Sequence, residues 1–420
     1  MKNSLIVLMV LFSTSVGLYS QNNVIDALKH TLEEKMFLKL NSVHHQSEDK
    51  SVERRDFDND KLVADNNLGV ESELFAAINP ADSNNMVVAT IHFSNNPALY
   101  SPLSISVYYT KDFGNTWTKS SFNGVSDISG LVAGGGDPVL AFDANGNLHL
   151  TYIVLEITNF ITFEAKESVF HAISQDGGVS WTKEAYFVSS EFDVTTFDNI
   201  DYFFDKQWMA SDLSLTSPYL GNTYMAYVLF DLTNGGEEKL NIKVNTIKNG
   251  NTEFQNDAVT IGSDSFYFVQ FSSIDVDKDG NIAVGFVGSY DALSYYIYNS
   301  MSYDGGASFS EPNIVSTFIY PGYSEGDNSP DIVGVSSDRY YPCPYTAIDK
   351  SGTATDGRIY MTWTAPGLVE NSESGYDIYL SYSDDKGASW SERLLLSIMI
   401  FKQVEISFIL QSMSILKDIL

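Results

Sequence analysis

One short pattern recurs four times in this chain and constrains its fold more than any other feature. It consists of Ser or Thr, any residue, Asp, any residue, Gly, two further residues, and Trp or Phe. We call it the corner motif, because each copy lies between two segments of alternating apolar residues, as the turn of a β-hairpin does. We expect the Asp to accept turn N–H groups, the Gly to take a positive φ and the aromatic ring to pack beneath the loop. These structural residues are Asp112, Gly114, Trp117, Asp176, Gly178, Trp181, Asp304, Gly306, Phe309, Asp385, Gly387 and Trp390.

A second signature precedes each corner motif: a strand that ends in an apolar residue followed by Asp or Asn, often with Ala before them. Alignment on that last residue gives five units instead of four, spaced by 64, 69, 65 and 72 residues. The corner of the third unit is degenerate, with Asn249 and Asn251 in place of the Asp and the Gly. A repeat of this length is sufficient for four strands. The equivalent strand-start positions are Glu73, Asp137, Lys206, Phe271 and Cys343.

The repeats predict an all-β fold, a β-propeller of four-stranded blades with five recognisable blades over residues 71–394. The alternative is a string of separate β-sandwiches, for which about 65 residues per unit is short. A sixth inner strand is due at about residue 411, but residues 395–420 form an aberrant apolar tail without the pattern. We therefore expect that a sixth blade has been lost by truncation or by a frame-shifted reading.

The N-terminus predicts export. Residues 1–20 contain Lys2, an apolar run from Leu5 to Phe12, and then small and polar residues. This order is typical of a secretory signal peptide, although a buried first helix is the alternative. Residues 21–70 are predicted to form a helical leader and a polar linker. We expect a secreted or cell-surface protein without a membrane span.

The charge of the chain excludes several partners. It carries 54 acidic and 24 basic residues among 420, a formal net charge of −30. Nucleic acids and anionic membranes would be repelled by this charge. The single cysteine, Cys343, excludes an internal disulfide framework and a Cys-rich zinc site.

No metal site and no required cofactor are predicted, although calcium binding through irregular loops stays open. The segment Asp275–Gly280 is similar to the start of an EF-hand loop, but Phe286 occupies the twelfth position, where that loop needs Glu. A hairpin turn is the favoured interpretation of this segment, because it coincides with the turn that follows the first strand in the other units.

The corner motifs resemble the Asp-box (BNR) repeats of the sialidase superfamily of β-propellers, over about residues 71–394. The repeated strands and the stretch Asp205–Trp208 are similar to secreted bacterial proteins of the sialidase-like or exo-alpha-sialidase-like group. This resemblance implies that the corner motifs lie on the outer rim, between the third and fourth strands, and serve the fold. It also implies that an active member holds a substrate carboxylate with three arginines and uses an Asp as acid/base and a Tyr, activated by a Glu, as nucleophile.

The arginines do not form an evident triad. The chain has five, of which Arg54 and Arg55 lie in the linker and Arg339, Arg358 and Arg393 lie in the propeller region. The last three all belong to the final blade region, whereas a triad has to converge from several blades. Catalysis of the sialidase type is therefore an open question at this point.

The starts of the inner strands should line the central channel, and one mouth of such a channel usually carries the function. The residues predicted to be catalytic are Asp137, Glu73 and Asp205. The residues predicted to bind substrate are Lys206, Glu71 and Arg339. The alternative is that these polar side chains cap strand ends and face water. His92, His149 and His171 lie at unrelated strand phases, which predicts structural histidines without a shared site.

Two functions from different classes are consistent with the sequence. The first is a secreted sialidase-like glycoside hydrolase that acts on glycans, in a form that is degenerate if the arginine triad is missing. The second is a non-catalytic extracellular β-propeller that binds glycans or proteins. In both cases we expect a monomer whose partner is a glycan or a glycoprotein.

Overall fold

A computed structural model describes residues 61–63, 69–94, 105–122, 124, 131–159, 161, 164–182, 185–193, 202–231, 239–255, 257–291, 293–318, 342–366 and 376–395. The predicted signal peptide, almost all of the leader and linker, and nearly all of the apolar tail lie outside these ranges. Their assignments stay predictions. Within the described residues there is no helix, and therefore none that is long and apolar enough to cross a membrane.

The described residues form five four-stranded antiparallel sheets, and in each sheet the strands follow one another in chain order. This confirms the predicted fold class, an all-β fold of five four-stranded propeller blades. The chain divides into two compact units. The first unit comprises Met1–Leu140 and Gly146–Asp201 and contains blades 1 and 2. The second unit comprises Ala141–Asn145 and Tyr202–Leu420 and contains blades 3 to 5.

The first unit contains two blades. Blade 1 consists of β1 (Gly69–Ile78), β2 (Met86–Ser94), β3 (Ile105–Thr110) and β4 (Thr118–Lys119). Blade 2 consists of β5 (Leu131–Phe142), β6 (Leu148–Asn159), β7 (Glu164–Ser174) and β8 (Ala185–Asp193). The blades pack through aromatic rings, since Phe122 meets Tyr152 and Trp181 edge to face at centroid distances of 5.7 and 5.4 Å.

The second unit contains three blades. Blade 3 consists of β9 (Tyr202–Ser211), β10 (Thr223–Asp231), β11 (Lys239–Ile247) and β12 (Val259–Phe266). Blade 4 consists of β13 (Phe268–Val276), β14 (Ile282–Ser289), β15 (Tyr295–Ser302) and β16 (Asn313–Phe318). Blade 5 consists of β17 (Tyr345–Ile348), β18 (Ile359–Pro366), β19 (Tyr376–Ser383) and β20 (Leu394–Leu395). Large side chains such as Trp363 and Phe286 are fully buried in this core.

The corner motifs lie between the third and fourth strands of their blades, as expected, and share one hydrogen-bond network. In blade 1, Asp112 Oδ1 accepts the Thr116 N–H at 2.8 Å and the Thr110 hydroxyl at 2.7 Å. The Gly114 N–H donates to Thr110 Oγ1 at 3.0 Å, and Gly114 has a φ of 79°. The same bonds recur around Asp176, Asp304 and Asp385.

Corner motifs also join neighbouring blades. In the first unit, Asn85 of blade 1 donates from Nδ2 to the carbonyl oxygen of Gly177 at 3.0 Å. In the second unit, Asn313 of blade 4 donates from Nδ2 to the carbonyl oxygen of Gly387 at 2.8 Å. These bonds satisfy carbonyl groups of the corner motifs. The predicted structural role of the motif is therefore visible in its contacts.

The turn after each first strand also follows one rule. The Asp or Asn that ends the strand accepts the N–H of the residue two positions later, at 2.8 to 3.0 Å in all five blades. Such a side chain replaces a backbone acceptor and fixes the turn. The accepting residues are Asn79, Asp143, Asp212, Asp277 and Asp349.

Candidate functional site

The five positions that the repeat alignment makes equivalent share an unusual backbone conformation. None of them is glycine, yet all have positive φ. The values are 46° for Glu73, 50° for Asp137, 50° for Lys206, 60° for Phe271 and 31° for Cys343. This agreement confirms the alignment. The residues are not strand starts, however, because Glu73, Asp137, Lys206 and Phe271 lie inside their strands and Cys343 lies two residues before β17.

The pairing explains the conformation. The register between the first and second strands shifts between Ser72 and Phe75 in blade 1, and between Gln270 and Ser273 in blade 4. A β-bulge of this kind inserts one residue and redirects the side chains beside it. For a residue other than glycine, the left-handed conformation costs about 1–2 kcal/mol, so the surrounding structure has to enforce it. We call all five positive-φ positions the bulge residues, with Asp137 and Cys343 included on their φ and on the repeat alignment.

In blade 1 a carboxylate is held beside the bulge by three other side chains. Glu71 Oε1 accepts a 2.6 Å hydrogen bond from the hydroxyl of Tyr108, and Glu71 Oε2 accepts one from the hydroxyl of Thr90. His92 Nδ1 lies 3.5 Å from Glu71 Oε1. The Glu71 side chain is 17% exposed, so water or a ligand can reach it. Glu71 was predicted to bind substrate, whereas the contribution of Tyr108 was missed.

Tyr108 orients Glu71 through its hydrogen bond. Burial, together with the hydrogen bond to Glu71 and its charge, raises the pKa of Tyr108 to about 12. The phenol is therefore neutral near pH 7 and keeps its proton, with which it donates a hydrogen bond to the carboxylate. A neutral buried phenol is a weak nucleophile. The pair has the residue types that the resemblance implies, a Tyr beside a Glu, and the raised pKa disfavours ionisation of this phenol.

The two other predicted carboxylates of the first unit are bulge residues themselves. Glu73 is exposed, whereas Asp137 is 9% exposed. Glu71, Glu73 and Asp137 thus all lie at or beside the bulges of blades 1 and 2. The three side chains differ in solvent access. Burial disfavours the charged form of a carboxyl group, so a buried carboxyl is better suited to hold a proton than a solvated one.

In the second unit Asp205 precedes the bulge of blade 3 and is 5% exposed. Its Oδ1 accepts a 2.9 Å hydrogen bond from the N–H of Lys206, and its Oδ2 accepts a 2.9 Å hydrogen bond from Nε2 of Gln270. Gln270 precedes the bulge of blade 4. Each carboxylate oxygen of Asp205 therefore accepts a hydrogen bond from the protein. The carbonyl oxygen of Lys206 accepts the hydroxyl of Ser272 at 3.1 Å, which adds a second link between these blades.

The described arginines are occupied elsewhere. Arg358 forms a two-pronged interaction with Asp384, at 2.7 and 3.0 Å, and lies over the ring of Tyr382. Arg393 donates to the hydroxyl of Thr317 at 3.1 Å. Neither lies on a first strand. Arg339, the arginine predicted to bind substrate, lies outside the described residues.

The EF-hand-like segment is a hairpin turn. Asp277 accepts the N–H groups of Asp279 and Asn281 with the same Oδ1, both at 2.8 Å. Asp275 accepts the N–H of Ile348 at 2.7 Å and Nζ of Lys350 at 2.6 Å. The two carboxylates bind different protein groups and do not converge on a common position where an ion could bind. Among the residues that the structure covers, no group of three or more His, Cys, Asp or Glu side chains is arranged around a possible ion.

Two histidines that were expected to be unrelated lie together. His149 Nδ1 and His171 Nε2 are 3.0 Å apart, and the two rings stack at a centroid distance of 5.2 Å. Both are buried on the middle strands of blade 2, and burial together with His149 lowers the pKa of His171. The sequence did not reveal this contact, because strand phase does not give the register between β6 and β7; the prediction of structural histidines stays a prediction. The pair lies within the blade core and away from the bulges.

Comparisons with known proteins give fold likeness only. No family model and no curated protein matches the chain. A solved structure of unknown function from Dyadobacter fermentans is 12% identical, with a TM-score of 0.49, over 80% of this chain and 85% of that one. A Hadza microbial sialidase is 14% identical, with a TM-score of 0.47, over 78% of this chain and 58% of that one. The NanB sialidase of Streptococcus pneumoniae is 10% identical, with a TM-score of 0.46, over 80% and 63%. The chain thus spans less than two thirds of either sialidase.

Proposed function

We propose that this protein is a secreted glycoside hydrolase of the sialidase-like class, which acts on glycans through carboxylates at the bulges. The observation that carries the proposal is the position of Glu71. Tyr108 and Thr90 fix both of its oxygens, yet its side chain keeps partial contact with solvent. A carboxylate that is oriented in this way and reachable by water is suited to proton transfer.

Most glycoside hydrolases use a pair of carboxyl groups, and we propose this pair here in place of a tyrosine nucleophile. In the proposed reaction Glu71 takes a proton from the attacking water, and the oxygen of that water forms the new bond to the anomeric carbon. A carboxylic acid gives its proton to the departing glycosidic oxygen as the old bond breaks. Asp137 and Glu73 are the candidates for this acid, and separate variants distinguish them.

The substrate class follows from charge. An acidic sugar needs arginine guanidinium groups to bind its carboxylate, and both described arginines interact with other side chains of the protein. The net charge of −30 further disfavours an anionic ligand. We therefore propose that the hydrolysed sugar is neutral and that activity on sialosides is weak or lacking.

The proposal is tested with a fluorogenic sialoside and a panel of neutral aryl glycosides. Loss of general acid or base catalysis typically lowers turnover by about 100-fold or more. We expect this loss for Glu71→Gln and for one of Asp137→Asn and Glu73→Gln. Glu164→Gln, which changes an exposed carboxylate at the start of β7, is the control and should keep full turnover. A flat panel, or full activity of Glu71→Gln, would refute catalysis at this site.

A second function is a non-catalytic propeller that binds extracellular glycans or proteins. It is favoured by Asp205, a predicted catalytic residue that is only 5% exposed and whose carboxylate oxygens both accept hydrogen bonds within the protein. A flat glycoside panel together with measurable binding on a glycan array would select this function.

We further propose that the protein acts outside the cell as a monomer and needs no cofactor. Mass spectrometry of the protein from culture medium tests export, because a cleaved signal peptide removes about the first twenty residues. Light scattering gives the oligomeric state. Activity that is unchanged by a chelator would support cofactor independence, and loss that calcium restores would contradict it.

A further inference from the structure

A flat aromatic surface lies at one end of blades 3 and 4, outside the bulges. Tyr290 directly follows β14 and stacks on Phe266, the last residue of β12, at a centroid distance of 4.3 Å and an interplanar angle of 18°. Phe266 is only 1% exposed, whereas Tyr290 is 43% exposed. One ring therefore supports the other from below and leaves part of the upper ring in water.

The surrounding residues fix Tyr290 in this position. Tyr298 meets it edge to face at 6.0 Å. Gly288 allows the close approach of the supporting ring, because a Cβ there would lie 3.0 Å from Phe266. Gly262, with a φ of 83°, lies beside the Tyr290 hydroxyl, which is 3.7 Å from the position that a Cβ would take. The ring is a preorganised platform and not a loosely held surface side chain.

Two carboxylates lie near the platform. Glu311 and Asp264 are exposed, and their charges add to burial in raising the pKa of Tyr290 to about 12. Glu311 Oε2 accepts the N–H of Ser263 at 3.2 Å, which keeps it close to Gly262. Within the described part of the chain neither carboxylate forms an ion pair. Their lone pairs are therefore available to donors on a ligand.

We propose that Tyr290, supported by Phe266 and edged by Asp264 and Glu311, is a binding subsite for a neutral pyranose of a glycan. A pyranose has a flat face of C–H groups that covers an aromatic ring, and hydroxyls at its edge that donate to carboxylates. An anionic sugar would be repelled. A small organic cation prefers several surrounding ring faces, whereas this platform offers a single face.

The position of the subsite is defined relative to the bulge of its own blade. Ser289, next to Tyr290, pairs with Phe268, which lies three residues before the bulge residue Phe271. The subsite therefore lies at the same end of blade 4 as its bulge. The choice of a glycan as ligand rests on the proposed function, but binding at Tyr290 does not require catalysis.

The experiment measures binding of neutral oligosaccharides (cello-, xylo- and galacto-oligosaccharides), with sialyllactose and tetramethylammonium as competing probes. Calorimetry gives affinity, and saturation-transfer NMR shows which sugar protons touch the protein. We expect Tyr290→Ala to weaken neutral binding at least tenfold, and Tyr290→Phe to keep most of it. Tyr303→Ala, which changes another exposed tyrosine, is the control. Asp264→Asn combined with Glu311→Gln should also weaken binding and keeps the ring in place.

The outcomes separate this inference from the proposed activity. Neutral binding that depends on Tyr290 but accompanies a flat glycosidase panel would support the subsite and refute the hydrolase. If the protein is active and its affinity for neutral oligosaccharides is unchanged in Tyr290→Ala and in the double carboxylate variant, the subsite is refuted. Binding of tetramethylammonium or sialyllactose alone, or of no probe, would also overturn it. Thermal unfolding of each variant shows whether the fold is retained.

Discussion

The amide of Gln270 donates a 2.9 Å hydrogen bond to the buried carboxylate of Asp205, so the residues that precede the bulges of blades 3 and 4 are joined directly. Gln270 is completely buried, and Asp205 is 5% exposed. Removal of a donor from a buried acceptor typically costs about 1–3 kcal/mol. This bond therefore stabilises the bulge region of the second unit in addition to any role in binding.

The Gln270–Asp205 bond gives the first prediction. Gln270→Ala should lower the free energy of unfolding by about 1–3 kcal/mol, because Asp205 loses a hydrogen-bond donor without gaining water. Guanidinium unfolding measures this change. Gln255→Ala removes an exposed glutamine of the same unit and should have little effect. Equal stability of the two variants would show that the bond contributes nothing.

The second prediction concerns acid. Hydrogen bonds from the Thr116 hydroxyl and N–H lower the pKa of Asp112 to about 2, and corner hydrogen bonds also lower the pKa values of Asp176, Asp304 and Asp385. A carboxyl whose pKa is lower in the folded state than its ordinary 3.8 stabilises the fold above about pH 4. That stabilisation is lost as the pH falls from 4 towards 2. Unfolding free energies measured across this window should decline with pH.

Variants locate the source of this acid sensitivity. Asp112→Asn should be less stable than wild type at pH 7 and should lose less stability between pH 4 and pH 2. Asp257→Asn, in the exposed loop after the degenerate corner, serves as the control and should follow the wild-type profile. A wild-type slope in Asp112→Asn would show that the corner carboxylate does not cause the decline.

The third prediction compares two glycines with positive φ. A Cβ at Gly178 would lie 2.8 Å from Val87 Cγ2, whereas a Cβ at Gly250 would meet nothing within 4 Å. Gly250→Ala should cost only the conformational term, about 1–2 kcal/mol. Gly178→Ala should cost a further ~1–3 kcal/mol from overpacking. Thermal unfolding of both variants measures the difference, and equal losses would contradict the steric argument.

The fourth prediction addresses the bulges. Lys206→Gly should raise the free energy of unfolding by up to about 1 kcal/mol, since glycine adopts positive φ without a steric penalty. Lys239→Gly, at the exposed start of β11, should instead lower it, because glycine is entropically unfavourable in a strand. Denaturant unfolding of both variants is the measurement. A loss in Lys206→Gly equal to that in the control would mean that the bulge carries no strain.

The sequence was sufficient to predict the blades, because Asp and Gly impose local turn geometry wherever they occur in the right order. It also aligned the five bulge residues correctly. It did not indicate their positive φ, since this conformation is expected of glycine and the five residues are Glu, Asp, Lys, Phe and Cys. The corner pattern also omitted the Ser or Thr before the aromatic residue, whose hydroxyl bonds the Asp in all four copies.

The candidate site was less predictable than the fold. Contact between Glu71 and Tyr108 depends on the register in which three successive strands pair, and the amino-acid sequence alone does not specify that register. The same limit concealed the pair His149 and His171. The platform at Tyr290 depends on a ring from the preceding blade, so it too arises only from tertiary packing.

The bulges have a consequence for how such a protein can change. At these five places the main chain keeps one shape while the attached group is acidic, basic, aromatic or a thiol. Because the backbone conformation is the same for such different side chains, a single substitution can change the functional group at one of these positions while the blades keep their fold. Diversification of ligand preference in this scaffold would then need no loop remodelling.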